Sequence, residues 1–185
     1  ARSLRLLTSL QEKKEILLSL GVDHVEVLPF TKDFSSMTTE EYLRFIMEKY
    51  GARTLLLGYD NRMGCDAKGT DRTAERLGLE ALRADMIPSQ GGYAVSSTKI
   101  RQELEAGDVE AASAMLGYRY SLHGVVVAGN RLGRTIGFPT ANMQLYEPLK
   151  LVPGNGVYFV RVKTVGRNLY GMCNIGYRPT VSAGN

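Results

Sequence analysis

Tryptophan is absent from this chain of 185 residues, and cysteine and histidine occur twice each. Cys65 and Cys173 stand alone, without a CxxC pair or a neighbouring histidine, so they read as packed or unremarkable thiols rather than a disulfide or thiolate metal ligands. His24 and His123 are too far apart in sequence to suggest a shared metal, and both read as structural residues. No run approaches the roughly 20 apolar residues that a membrane-spanning helix needs. Leu4-Arg5-Leu6-Leu7 is too short for a signal peptide and lacks a small-residue cleavage pattern. Internal repeats, low-complexity tracts and a long flexible linker are also missing. The expectation is a cytoplasmic protein with no membrane partner, in which homo-oligomer formation stays open. A dense Lys/Arg block is lacking too. The net charge of +4 suits an anionic partner without distinguishing nucleotide from nucleic acid, and a solvated mixed surface explains it equally well.

What is present is ordinary for a globular chain: 44% apolar and 23% charged residues, enough for one large or two small domains. The first part alternates helical and strand patterns. Thr8 to Leu18 opens on cap-forming residues, carries apolar positions at helical spacing and meets its stop at Gly21. His24 to Phe30 reads as a short strand closed by Pro29, and Thr38 to Met47 as a capped helix with acids in its first turn. Thr54 to Gly58 is nearly all apolar, as expected for a strand covered on both faces. A helix over Thr73 to Leu79 and a strand over Leu79 to Met86 follow. This alternation favours a parallel, doubly wound α/β sheet. After the helical stretch Val109 to Leu116 the pattern changes. Tyr120–Ala128, Gly156–Val162 and Tyr170–Ile175 are β-rich segments separated by Gly, Pro and Asn, which predicts an antiparallel barrel or sandwich. The boundary falls near Gly117-Tyr118, giving domains 1–117 and 118–185 that abut closely.

Three segments carry chemistry. The loop from Gly129 to Gly133 and Arg134 leads into Pro139-Thr140-Ala141-Asn142, which presents a hydroxyl and a carboxamide two residues apart. In extended backbone these two side chains share a face, so Thr140 and Asn142 could hold one hard cation while the glycines admit a phosphate chain to the main chain. Val95 to Arg101 places Ser96, Ser97 and Thr98 at the start of a helix, followed by Lys99 and Arg101. Capping needs one of those hydroxyls; a polyphosphate site would use several, together with free N–H groups and an arginine. Both readings stand on the residues alone. Gly58 to Gly64 lies at the C-terminal end of the apolar strand, the edge at which open α/β sheets bind ligands. A Gly-bounded turn with a local Asp60 hydrogen bond is the plainer account of that segment.

Residues 124–142 resemble the signature of riboflavin kinase, and the order of segments before them resembles the bacterial bifunctional riboflavin kinase and flavin-adenine-dinucleotide (FAD) synthetase family. Ser-Ser-Thr-x-Ile-Arg at 96–101 looks like the phosphate-binding motif of the nucleotidyltransferase superfamily, and Gly-x-Asp-x-x-x-Gly at 58–64 resembles a stretch of its adenylyl-transfer cleft. The resemblance implies a Rossmann-like nucleotidyltransferase domain followed by a small kinase barrel. It implies riboflavin, flavin mononucleotide (FMN) and ATP as substrates, FAD as a product and Mg²⁺ as cofactor. Gly129, Gly133, Arg134, Thr140 and Asn142 would serve the kinase ATP and its Mg²⁺. Asp60, Arg62, Ser96, Ser97, Thr98 and Arg101 would bind nucleotide in the adenylyltransferase. Asn174 to Thr180 resembles a segment near the kinase site, where Arg178 is a phosphate candidate against a solvated loop arginine; Gly154 to Tyr158 needs only a structural explanation.

The chain departs from the family pattern in two places. It contains no His-x-x-His motif, and the family's kinase Glu base has no equivalent, so no catalytic residue of either reaction is visible. It reads as trimmed at both ends, or as part of a longer polypeptide. Two other classes stay open: a non-catalytic nucleic-acid-binding protein, which would need aromatics interleaved with cations on the β strands beyond Tyr118-Arg119-Tyr120, and a degenerate flavin-binding module.

Overall fold

The computed structural model describes residues 5–59, 61–66, 69–86, 95–129, 137 and 140–176. The chain forms two compact units, one from Asp23–Ala94 and one from Ala1–Val22 joined with Val95–Asn185. These packing units do not follow the change of pattern near 117–118, because the helices that precede that point pack in the same unit as the β segments that follow it.

In the unit 23–94, helix α2 (Lys32–Ser36) precedes α3 (Thr39–Tyr50), and strand β1 (Thr54–Leu57) is linked through α4 (Thr70–Arg76) to β2 (Glu80–Arg83). Thr38 caps α3, its hydroxyl accepting from Glu41 N while the Glu41 carboxylate accepts from Thr38 N. This reciprocal box satisfies two helix-end donors that would otherwise have no intrahelical partner. β1 and β2 pair in parallel from Thr54↔Glu80 to Leu57↔Arg83, and α4 provides the crossover that parallel strands require. Leu43, Leu55, Leu57, Ala74 and Leu79 form the core, with Tyr42, Ile46 and Met63 packed around it.

Two expectations fail in this unit. Residues 23–31 form no strand, since β-rich composition needs a partner strand to become a ladder, and none pairs with them among the described residues. β1 is covered on one face only: Leu55 and Leu57 are buried, whereas Leu56 is 70% exposed. Its apolar run therefore reports alternate residues in two different environments.

In the other unit, α1 (Leu10–Ser19) begins at a Ser9–Glu12 capping box, and α5 (Ser97–Ala106) packs against α6 (Val109–Leu116). Ile100, Leu104, Ala112 and Leu151 form the core. β3 (Gly124–Val127) pairs antiparallel with β4 (Asn142–Leu145), and β5 (Gly156–Thr164) with β6 (Arg167–Ile175). No closed barrel forms among the described residues, because each pair is a separate two-stranded sheet. The coarse class, mixed α/β followed by antiparallel β, holds. Leu6 makes a parallel bridge to Lys150, with Leu6 N donating to Leu149 O and Leu151 N to Leu6 O, both at 2.8 Å.

Candidate functional site

The Gly58 segment leaves β1 at the C-terminal edge of the parallel pair. Asn61 N donates to Gly58 O at 3.1 Å, closing a turn, and Asp60 lies outside the described residues. Arg62 is exposed and has no partner among the described residues. Beyond it the chain is pinned again. Thr39 N donates to Asp66 Oδ1 at 3.0 Å, the Thr39 hydroxyl lies 2.7 Å from both that oxygen and Met63 O, and Cys65 N donates to Met37 O at 2.9 Å. Gly64 has φ +75°, and a Cβ there would run into the Thr38–Thr39 backbone, so only glycine lets the loop approach the start of α3 this closely.

At α5 the capping and anion readings separate by residue. Ser96 is the N-cap, its Oγ accepting from Lys99 N at 3.2 Å. Ser97 and Thr98 occupy the first turn, are exposed, and have hydroxyls with no partner among the described residues. Lys99 pairs with Glu103 at 2.6 Å. Arg101 is half-buried and donates through Nε to Arg5 O at 2.9 Å, which fixes its stem and leaves the two terminal nitrogens of the guanidinium with no protein partner among the described residues. Two exposed hydroxyls, helix-end N–H groups and this anchored cation fall within five residues, a composition that suits an anion.

In the kinase-like segment, Asn142 is the first residue of β4, opposite Val127 in the register. Gly129 lies against its carboxamide so closely that a Cβ at 129 would overlap the Asn142 amide. Thr140 is exposed and precedes the strand; Gly133 and Arg134, like Arg178, lie outside the described residues. No group of three His, Cys, Asp or Glu side chains among the described residues could hold a metal. Thr140 and Asn142 offer only neutral oxygens, which fit Mg²⁺ when substrate phosphates and water supply its remaining ligands. Gly154 does have a structural explanation: its N–H donates to Leu104 O at 2.8 Å, and a Cβ would collide with the Glu105 carbonyl at the end of α5.

Sequence reasoning missed one buried charged cluster. Lys150 Nζ donates to Glu12 Oε2 at 2.7 Å and to Leu7 O at 2.8 Å, and sits 4.5 Å from the centre of the Tyr120 ring. Both side chains of the ion pair are about 95% buried, at 4% and 5% exposure. Glu12 also accepts from Ser9 N at 2.6 Å, and its other oxygen lies 3.8 Å from His123 Nε2. Burial pushes the Glu12 pKa up, but the bonds from Lys150 and Ser9 and the nearby positive charge outweigh it, so the net direction is down. For Lys150 desolvation prevails over the same partner and lowers its pKa. The Ser9-x-x-Glu12 spacing was readable as a capping box; its second use as a buried counterion was not.

On the β5–β6 hairpin, Phe159 and Tyr170 stack with centroids 5.7 Å apart and planes at 4°, and both rings are largely exposed. Arg161 is opposite Tyr170 in the register and therefore shares that face.

Known proteins give these features a context. A family model described as FAD synthetase matches residues 1–99, and one described as riboflavin kinase matches residues 116–185. The bifunctional riboflavin kinase/FMN adenylyltransferase of Escherichia coli (strain K12) is 36% identical over 181 residues, covering 95% of this chain and 57% of the relative. The protein of the same name from Bacillus subtilis (strain 168) is 34% identical over 177 residues, covering 95% of this chain and 56% of the relative. A crystal structure described as a macrolide-efflux protein from Streptococcus pneumoniae superposes with TM-score 0.85 at 30% identity, over 92% of this chain and 55% of that one. Among the described residues no helix is long and apolar enough to cross a membrane. This chain spans a little over half the length of these relatives, and it belongs to the bifunctional riboflavin kinase/FMN adenylyltransferase family.

Proposed function

We propose that the protein carrying this chain converts riboflavin to FMN and FMN to FAD at the expense of ATP. In this reading residues 1–117 belong to a doubly wound nucleotidyltransferase domain and residues 118–185 to an antiparallel kinase barrel. What supports it is a pair of residue groups in family order: exposed Ser97 and Thr98 at the start of α5 beside an anchored Arg101, then Gly129 packed on Asn142. In the kinase step the ribityl hydroxyl oxygen bonds to the γ-phosphorus of ATP as the bond to the β-phosphate oxygen breaks, releasing ADP. The hydroxyl proton passes to a general base, the role of the family's Glu. Such transfer depends mainly on positioning and charge neutralisation. Thr140 and Asn142 would hold Mg²⁺, which when bound neutralises phosphate charge; Gly129, Gly133 and Arg134 would line the phosphate path. In the adenylyl step a phosphate oxygen of FMN attacks the α-phosphorus of a second ATP and pyrophosphate leaves. Ser96, Ser97, Thr98 and Arg101 would stabilise that leaving charge. Asp60 and Arg62, in the loop after β1, are separate nucleotide-binding candidates for the same step.

Substitutions in the intact protein test the division of labour. Thr140→Ala and Asn142→Ala should each remove most riboflavin phosphorylation and spare adenylylation; wild-type turnover in both would sink the cation-site assignment. Ser97→Ala and Arg101→Ala should do the reverse, costing on the order of 1.5–3 kcal/mol for a charge-assisted phosphate contact. Unchanged pyrophosphate release would leave the hydroxyls as a helix cap only.

The Phe159–Tyr170 stack facing Arg161 favours a second reading, since aromatics beside a cation on one strand face form the platform a single-stranded nucleic acid needs. Titration of the intact protein with Mg-ATP, riboflavin, FMN and a short oligonucleotide separates the two. Flavin and ATP binding is expected. Tight, steeply salt-dependent oligonucleotide binding without them would select the second reading.

A further inference from the structure

Arg83 is the last residue of β2, and the main chain of the neighbouring β1 exit converges on it. Its Nη1 donates to Gly58 O at 2.8 Å, Tyr59 O at 3.2 Å and Asn61 O at 3.4 Å. Its Nη2 donates to both carboxylate oxygens of Asp71, at 3.1 and 2.9 Å. Asp71 lies in the first turn of α4, so that helix orients the guanidinium and the guanidinium orients the turn. A planar fork with fixed donor directions suits this double task; a lysine has a single charged centre on a flexible stem. Arg83 and Asp71 are partly exposed, at 36% and 49%, so solvent screens their attraction and the contact serves geometry more than stability.

The far end of the loop is held separately, by Thr39 on Asp66 and Met63 and by the close approach of Gly64 to α3. Between the two anchors stands Arg62, exposed and with no partner among the described residues. An exposed cation with no partner among the described residues, on a loop held at both ends and at the ligand-binding edge of a parallel strand pair, is placed to contact an anion.

We propose that Arg83 is a positioning residue for adenylyl transfer: by gathering the carbonyls of Gly58, Tyr59 and Asn61 it aims the loop that presents Arg62 to the phosphates of ATP. This rests on the Gly58–Gly64 loop belonging to the adenylyl-transfer cleft. Arg83 itself touches no substrate in this assignment.

The test measures KM for ATP, kcat of FMN adenylylation and riboflavin phosphorylation in the intact protein for Arg83→Ala, Arg83→Lys, Asp71→Asn and Arg62→Ala, and for the Arg62/Arg83 double alanine variant. Arg83→Ala should raise KM for ATP in adenylylation by on the order of 10- to 100-fold, the cost of a misplaced contact. Riboflavin phosphorylation should stay within about twofold, and an unchanged urea midpoint should report that the unit 23–94, which holds Arg83, is folded. Arg83→Lys should remain impaired, because it keeps the charge and loses the fork; Asp71→Asn should shift KM in the same direction. These two variants keep the test decisive should Arg83→Ala not fold. The double variant should be no worse than Arg62→Ala, because one residue acts through the other. An Arg62→Ala defect with wild-type kinetics in Arg83→Ala and Arg83→Lys overturns the positioning role and leaves the cleft assignment standing. So does a double variant whose defects multiply. Wild-type adenylylation in Arg62→Ala overturns the cleft assignment itself, and the proposal with it.

Discussion

Removing the Lys150 side chain tests the energetics of the buried cluster directly. Lys150→Met preserves much of the side-chain volume and deletes the ammonium. The change loses a 2.7 Å ionic hydrogen bond to Glu12, a 2.8 Å bond to Leu7 O and the contact with the Tyr120 ring. It leaves Glu12, 5% exposed, with only the Ser9 N–H and the more distant His123 to offset a buried negative charge. Breaking one side of a buried pair costs about 3–5 kcal/mol. Glu12→Gln keeps an acceptor for Ser9 N, so the capping box persists, but leaves the ammonium buried against a neutral amide; the same reasoning gives a loss of at least about 2 kcal/mol. The double variant buries no charge and retains the cap, so it should lie only about 1 kcal/mol below wild type. Its coupling energy should then exceed about 2 kcal/mol, well beyond the roughly 0.5 kcal/mol scatter of independent sites. Urea unfolding of the four proteins at neutral pH, with the slopes compared to check that all unfold alike, provides the measurement. Additive losses, or single losses below about 1 kcal/mol, would refute the view that this pair is a desolvated and mutually dependent unit.

Acid should weaken the same cluster. The folded pKa of Glu12 lies below its ordinary 4.5, so its contribution is complete above that value and is lost as pH falls through the folded pKa. Urea midpoints between pH 6 and 3 should therefore converge for wild type and Glu12→Gln at the acid end. Gly129→Ala should cost less than about 1 kcal/mol of stability, because the atom it displaces is the end of a side chain, yet remove most riboflavin phosphorylation by turning Asn142 away; a fully active variant would sever Gly129 from the site. Gly154→Ala should be the opposite case, with unfolding made easier by about 2 kcal/mol or more as its Cβ meets the Glu105 carbonyl, a loss that Tm shows before any kinetic assay.

What was legible in the sequence follows the range over which each signal acts. The caps at Ser9 and Thr38 were readable because both partners of each box lie within three residues. The βαβ unit around β1 and β2 was readable from alternating patterns, although α4 starts at Thr70 rather than Thr73. His24–Phe30 misled because strand propensity is largely a statement about neighbours, which a local window cannot supply. The β1 run suggested two covered faces because leucine is apolar wherever it sits; the exposure of Leu56 follows from what surrounds the strand. At the candidate sites the residue types were visible and the supporting contacts were not. Ser96 as the cap, with Ser97 and Thr98 left over, could be foreseen as a division of labour among hydroxyls. The clamp of Arg83 on a turn 22 to 25 residues earlier could not, since a lone strand-end arginine has the same sequence appearance whether solvated or engaged.

The Leu6–Lys150 bridge orders events during synthesis. The segment 23–94 contains every strand and helix of its own core and can condense as soon as it leaves the ribosome. Residues 5–22 cannot finish folding then, because the backbone that receives Leu6 and the ammonium that neutralises Glu12 lie some 140 positions downstream. Until Lys150 emerges, α1 carries an uncompensated acid destined for burial. Loop-closure entropy rises only slowly with length, so the wait costs little free energy but a great deal of time. For a chaperone or protease that samples the growing chain, this stretch is therefore a vulnerable one, made some 140 residues before the partner that houses it.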